Sequence, residues 1–201
     1  MFKPWRKPFE ILLNEMEQHW AARVHRIEQS EPASSRRLPI STFVYSTARL
    51  TRHGREFEIT VSEFPVTGNT LFESEDNIEY LNVTAIVRET PYDVVMRPME
   101  FLSKLRAMIG LRIGVRTGEA GIDKLYSTWV RGDQSAAVIA TPAFRSAVLD
   151  CSPFDGFCLN AHTVAHSREI RDKDQLERGA IDLLLKHMAA LSDVIEKTLP
   201  G

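Results

Sequence analysis

The segment TFVYSTARLTRHGREFEITVSE, residues 42–63, has the clearest strand pattern in the chain. In its second half, apolar Phe57, Ile59 and Val61 alternate with polar side chains, and this period of two is typical of a half-buried strand. The first half is rich in β-branched and aromatic residues, and residues 53–54 provide a turn between the halves. The segment therefore predicts an antiparallel hairpin with one face toward a core and the other toward solvent.

The chain after this hairpin continues to predict strands. A polar, Pro- and Gly-containing excursion over residues 64–76 leads to a third strand at residues 78–88 and a fourth at residues 92–96, so we expect a meander. Pro98 is suited to a first helical turn, and Gly110 to a helix end. These positions predict one helix between them.

Residues 111–164 predict a second folding unit that is mostly extended. Its expected elements are a strand at residues 111–115, a turn at Gly118 and Gly121, a strand at residues 124–130, a helix capped by Thr141 and begun by Pro142, and a last strand at residues 157–164. The glycines of this unit mark chain reversals, because no strand–glycine loop–helix pattern of a phosphate-binding loop surrounds them.

Both ends of the chain predict long amphipathic helices, over residues 8–28 and 174–198, from apolar residues at three- and four-residue steps. The fold class is therefore predicted as α+β, an antiparallel sheet of hairpins and a meander flanked by N- and C-terminal helices. We expect residues 1–29 to form the first helix, residues 30–37 a linker, and residues 38–201 the α+β domain. The first helix is expected to dock on that domain and share one core.

The composition indicates a soluble globular protein. The 201 residues are 43% hydrophobic and 26% charged with a formal net charge of -2, which gives no electrostatic argument for nucleic-acid binding. No apolar run approaches the ~18 residues of a membrane-spanning helix. Glu10 and Glu15 interrupt the apolar residues near the start, so we expect no signal peptide. Two cysteines are too few for a disulfide framework, and we expect a cytoplasmic location.

One group of residues has the composition of a metal site: Cys151, Cys158, His162 and His166. The spacing is unlike that of a zinc finger, and the segment predicts a strand rather than a helix. Residues four apart on a strand lie roughly 13 Å from each other, too far to share one ion. The four residues are thus candidate ligands whose convergence the sequence does not establish.

Other chemistry is sparse. No nucleophile elbow or reactive-cysteine motif occurs, so we predict no catalytic residue and no cofactor. Arg49, Arg52 and Arg55 bracket the first hairpin turn near Phe43 and Tyr45, which resembles an RNA-binding face in composition, but no RNP-type motif accompanies them. Nucleic acid is accordingly not an expected partner.

The N-terminal residues are the candidates for partner binding. Aromatic and basic residues alternate around two prolines, and the candidate side chains are Phe2, Trp5, Arg6 and Trp20. This pattern is compatible with an acidic partner, with peripheral membrane contact through residues 1–29, or with a short tail that packs on its own domain, which is the interpretation that we favour.

The C-terminal half resembles a pattern in bacterial proteins of unknown function. The residues that carry the resemblance are Gly118, IDKLY at 122–126, WVRGD at 129–133, TPAFR at 141–145 and Val148-Leu149. In such proteins a strand with Gly, Asp and an aromatic residue leads to a Pro-x-x-Arg helix, a short strand and a terminal amphipathic helix, often after membrane helices. The resemblance implies this order of elements and no activity.

Two functions remain open from the sequence. The first is a cytosolic, non-enzymatic domain that binds a protein partner or itself, because catalytic motifs are missing and the two terminal helices have long apolar stripes. The alternative is a small-molecule-binding protein or enzyme with a cleft between the sheet and a helix.

Overall fold

A computed structural model describes residues 6–26, 43–64, 78–99 and 114–199 of the chain. The α-helices are α1 Arg6–Trp20, α2 Ala120–Leu125, α3 Asp133–Ile139, α4 Pro142–Asp150 and α5 Arg178–Lys197, and a 3-10 turn, Lys173–Leu176, precedes α5. The strands are β1 Arg23–Arg26, β2 Phe43–Arg52, β3 Arg55–Phe64, β4 Ile78–Ile86, β5 Val94–Pro98, β6 Tyr126–Val130, β7 Gly156–Leu159 and β8 Thr163–Glu169.

The described strands form a single antiparallel sheet in the order β1-β2-β3-β4-β8-β7-β5-β6. Buried side chains alternate along each long strand, as in Phe57, Ile59 and Val61 of β3, so one face of the sheet belongs to the core. Helices α1, α4 and α5 pack on this face, and α2 and α3 pack against α4. The fold class is α+β, as predicted.

Helix α1 is part of this core. Phe9, Leu12, Leu13 and Met16 lie on one stripe and are nearly inaccessible to solvent. Burial of a Leu or Phe side chain stabilises a fold by about 1.5–3 kcal/mol, so this stripe contributes strongly to docking of the helix. Residues 30–37, the predicted linker, lie outside the described residues.

The first helix is shorter than predicted. It ends at Trp20 because Ala21 adopts a left-handed backbone (φ 51°), which a helix cannot continue through. The Ala22 N–H then donates to the Met16 carbonyl at 3.2 Å. Residues 23–26 then form strand β1 on β2. Val24, which continues the helical stripe in sequence, instead pairs with Ala48 in the sheet, so local periodicity is overridden by strand pairing.

The expected meander is correct for the first hairpin and β4 but wrong for β5. Strand β4 pairs with β8, and β7 and β8 lie between β4 and β5. The predicted last strand at residues 157–164 is in fact β7, a turn and the start of β8, since Asn160 accepts hydrogen bonds from the backbone of His162 and Thr163 and reverses the chain. These two strands close the middle of the sheet.

The expected strand at residues 124–130 begins only at Tyr126, because residues 120–125 form α2. Asp123 accepts hydrogen bonds from the Thr117 and Gly118 N–H groups and orders the chain ahead of that helix. Gly114 makes a close backbone approach: a Cβ there would overlap the carbonyl oxygen of Thr128 in β6. Pro98, predicted to start a helix, is the last residue of β5.

The predicted Thr141 cap is confirmed: its hydroxyl accepts from the Phe144 N–H at 3.3 Å, with Pro142 first in α4. Helix α3 was not predicted. The C-terminal helix is present but begins at Arg178, since an Asp172 capping box starts the separate 3-10 turn. The predicted helix between Pro98 and Gly110 and most of the strand at residues 111–115 lie outside the described residues.

Candidate functional site

The face of the sheet opposite the helices is the candidate site, and none of the five described helices covers it. We call it the open face. One row of neighbouring residues crosses all eight strands on this face: Arg23, Arg49, Glu58, Thr84, Ala165, Cys158, Val95 and Trp129. Each is exposed or half-buried, whereas the next residue along each long strand points into the core.

Small, uncharged side chains occupy the middle of the open face, and the larger Tyr80 and Ile86 lie toward the two ends of β4. Thr84 and Ala165 lie opposite each other on β4 and β8, and the Ser167 hydroxyl donates to the Asn82 side-chain oxygen at 2.8 Å. These side chains project little from the sheet, so the centre is flat. A flat, uncharged centre is suited to contact with another surface rather than to enclosure of a small molecule.

The two ends of the open face differ from the centre. At the β1–β3 end, Arg49 is 74% exposed and its Nε lies 2.7 Å from a carboxylate oxygen of Glu58. At the other end, Trp129 in β6 is 40% exposed. Ile86, at the end of the central strand β4, is on the same side of the sheet and is 44% exposed. Ser127, which also points to this side from β6, is buried. The surface thus carries an exposed Arg–Glu pair at one end and an exposed indole at the other.

A depression of about 780 Å³ lies where the end of α1 meets the β1–β3 end of the open face. Its described lining includes Trp20, Arg23, Arg49, Glu56 and Glu58. The volume falls in the range of ligand pockets, but the charges of the two arginines and two glutamates balance, and the depression is only partly enclosed.

Ion pairs join strands β2 and β3 to helix α5 on the helix-covered face. Arg55 donates two hydrogen bonds to the Glu196 carboxylate, at 2.6 and 2.7 Å, and also pairs with Asp193 on α5. The hydrogen bonds from Arg55 lower the pKa of Glu196 to about 2. On the same face Arg52 lies 2.8 Å from Asp182 and 5.1 Å from the Trp20 ring centroid.

These contacts separate the three arginines that resembled an RNA-binding face. Arg49 points to the open face, but Arg52 and Arg55 point to the helices and are paired with carboxylates of α5. The structure therefore does not assemble them into one basic surface.

The four candidate metal ligands are placed on different sides of the sheet. Cys151 and His166 are buried on the helix side, where one ring nitrogen of His166 lies 3.1 Å from the Cys151 carbonyl oxygen. Cys158 is on the open face, and His162 is exposed in the turn between β7 and β8. Burial raises the pKa of the Cys151 thiol to about 12 and lowers the pKa of His166 to about 4, so both are neutral near pH 7.

No cluster of three or more His, Cys, Asp or Glu side chains in the described part of the chain has the geometry to hold a metal ion. Of the partner-binding candidates, Phe2 and Trp5 lie outside the described residues and Arg6 is the first residue of α1. Trp20 is half-buried against the core and therefore contributes to the domain itself. None of the described helices is sufficiently long and apolar to cross a membrane.

The open face was not predicted as a site. The signal in the sequence is the polar half of the alternation in β3, which contains Glu58 and indicates one solvated face of the hairpin. Thr84 indicates only a strand, because it is β-branched. Which residues share that surface depends on the strand order.

The fold defines the chain as an α+β domain in which the helices among the described residues cover one side of the sheet. No family model matches the chain, and no curated protein matches it. Among solved structures, the mycobacterial trehalose monomycolate transport factor A, TtfA, is similar, with a TM-score of 0.49 and 10% sequence identity over 98% of each chain. We transfer no function from a similarity at this level.

Proposed function

We propose that this chain is a cytosolic, non-enzymatic protein-interaction domain whose docking surface is the open face. The observation that carries the proposal is the uneven covering of the sheet: the described helices bury one face, and the row from Arg23 to Trp129 on the other face is exposed or half-buried. An antiparallel sheet tolerates one solvated face, but an exposed Trp and Ile on that face are residues that protein interfaces use.

The chemistry of the open face supports this function. The uncharged centre around Thr84 and Ala165 has little charge to desolvate, and desolvation of charged groups is a main cost of association. Trp129 and Arg49 are of the residue types that dominate binding energy at interfaces. The apolar stripes of α1 and α5, by contrast, are buried in the protein's own core, so they do not provide this surface.

Photo-crosslinking in cells tests the proposal. A photo-reactive phenylalanine analogue replaces Thr84 at the centre of the open face or, as a matched control, Leu183, which is 53% exposed on α5. We expect discrete protein adducts from position 84 and none of the same mass from position 183. Adducts from position 183 alone, or from neither position, would contradict the proposal.

A small-molecule site is the second candidate, and the observation that favours it is the depression beside Trp20. Nuclear magnetic resonance of the indole N–H groups during a fragment screen checks it, because Trp129 at the far end of the sheet serves as an internal control. Fragments that shift the Trp20 signal and leave the Trp129 signal unchanged would support a ligand site. If no fragment does so, the depression is only a surface feature.

A further inference from the structure

We infer that the partner of the open face is a second copy of this chain, packed sheet on sheet about a two-fold axis that runs parallel to the strands between β4 and β8. The inference rests on the proposed function and names the partner. Four strands lie on each side of this axis, β1 to β4 on one side and β8, β7, β5 and β6 on the other. Rotation about the axis therefore places each half of the open face over the other half of the second copy.

The strand register determines which residues meet. Thr84 of one copy faces Ala165 of the second copy at the centre, and Glu58 faces Cys158 on the next pair of strands. Farther out, Arg49 faces Val95, and Arg23 faces the exposed indole of Trp129. The arrangement pairs small with small residues at the centre and a guanidinium with an aromatic ring at the edges, two groups that attract each other by a cation–π interaction.

Charge distinguishes this arrangement from the other two-fold packing of the same faces. An axis perpendicular to the strands would place each strand over its own copy. Arg49 would then meet Arg49 and Glu58 would meet Glu58, and such like-charge contacts oppose association. With the axis parallel to the strands, no charged residue of the row faces another charged residue of the same sign.

The size of the open face also fits a dimer. Facing strands of the two copies overlap by four to seven residues, and at a strand spacing of about 4.8 Å and a rise of about 3.3 Å per residue this gives a flat area of roughly 600 Å² on each copy. A standard protein interface buries about 800 Å² on each partner. The uncharged centre permits the separation of about 10 Å at which sheets pack face to face.

Sedimentation of the full chain across concentration provides the first test. We expect a monomer–dimer equilibrium that Thr84→Arg weakens by at least about 100-fold, because two extra guanidinium groups would be buried near the axis. Leu183→Arg on the outside of α5 is the matched control and should leave the dissociation constant unchanged. A circular-dichroism melt of each variant checks that it is folded.

Crosslinking tests the arrangement itself. In Glu58→Cys, the new thiol faces the native Cys158 of the second copy, and a bis-maleimide with ends about 10 Å apart should join them into a covalent dimer. Within one chain the two positions are three strands, or about 14 Å, apart. The wild type and the Glu58→Cys, Cys158→Ser double variant should not give this product.

A strictly monomeric wild type, or a dimer that Leu183→Arg disrupts and Thr84→Arg does not, would overturn the inference. A Glu58→Cys dimer that persists when Cys158 is replaced would indicate the other axis and would overturn it as well. These results can be distinguished from failure of the proposed function. A photo-crosslinked adduct with a different protein at position 84 would still support the open face as a docking surface, but it would exclude a second copy of the chain as the partner.

Discussion

Removal of the charge on Glu196 provides a direct measure of what holds helix α5 to the sheet. In the Glu196→Gln variant the size of the side chain is kept, but the two hydrogen bonds from Arg55 lose their charged acceptor. The Arg88 backbone N–H also donates to this carboxylate, at 2.9 Å. Glu196 is only 12% exposed, so solvent screens these interactions weakly.

The magnitude follows from the pKa of Glu196. Arg55 lowers this pKa from 4.5 to about 2 in the folded chain, and each unit corresponds to 1.36 kcal/mol, which sets an upper bound of about 3 kcal/mol at neutral pH. Because the folded-state pKa is depressed, the stabilisation is complete above about pH 4.5 and disappears as the pH falls toward 2. At pH 3, on the order of 1 kcal/mol remains.

Urea unfolding of the wild type and Glu196→Gln at pH 7 and pH 3 tests this reasoning. We expect the difference in unfolding free energy to be about 2–3 kcal/mol at pH 7 and to shrink by roughly 2 kcal/mol at pH 3. Glu58→Gln is the control, because its partner Arg49 is largely exposed and such pairs contribute less than about 1 kcal/mol. An equal loss for both variants at pH 7, or a Glu196→Gln difference that does not change with pH, would refute the argument.

Three further predictions concern the core, a helix cap and the thiols. Leu13→Ala should lower the unfolding free energy in urea by about 2–5 kcal/mol, because Leu13 is buried. Ile11→Ala, on the exposed side of α1, should lower it by less than about 1 kcal/mol. A similarly small loss for both variants would show that α1 is not part of the core. Thr141→Ala should lower the unfolding free energy by about 1 kcal/mol, and an unchanged thermal midpoint would argue against the cap. Native chain at pH 7 should react with a maleimide first at Cys158, while Cys151 reacts only after unfolding, and mass mapping that finds the reverse order would contradict the assigned faces.

The elements that the sequence predicted well are those fixed by local chemistry. The hairpin β2–β3 has strong alternation and a turn at His53, and α4 has the Thr141-Pro142 start. Helix α5 has an apolar stripe several turns long. Each of these patterns specifies its structure without reference to the rest of the chain.

The elements that the sequence missed are fixed by tertiary contacts. Val24 satisfies a helical stripe and a strand equally well, and pairing with Ala48 decides between them. Residues 120–125 precede β6 without a break, and hydrogen bonds of Asp123 to Thr117 and Gly118 hold the start of the helix that replaces the expected strand. No periodicity within a short window contains such information.

The open face was unpredictable for a related reason. The sequence showed which residues of each strand are polar, but Ala165 and Thr84, 81 positions apart, become neighbours only because β8 joins β4. A meander would have placed β5 beside β4 and produced a different surface. The resemblance to bacterial proteins of unknown function stays a prediction.

The junction of β4 with β8 also constrains how the chain is made. During synthesis, β1 to β4 leave the ribosome well before β8. Tyr80 of β4 therefore pairs with Glu169 of β8 only after the intervening residues have been made. Over that interval β4 presents an unpaired edge, which nascent chains on neighbouring ribosomes of the same message also carry. At an elongation rate of about 5–20 residues per second, the interval is on the order of 5–20 s, which is long compared with hairpin formation. The strand order therefore leaves the β4 edge free to pair with a second nascent chain until β8 is made.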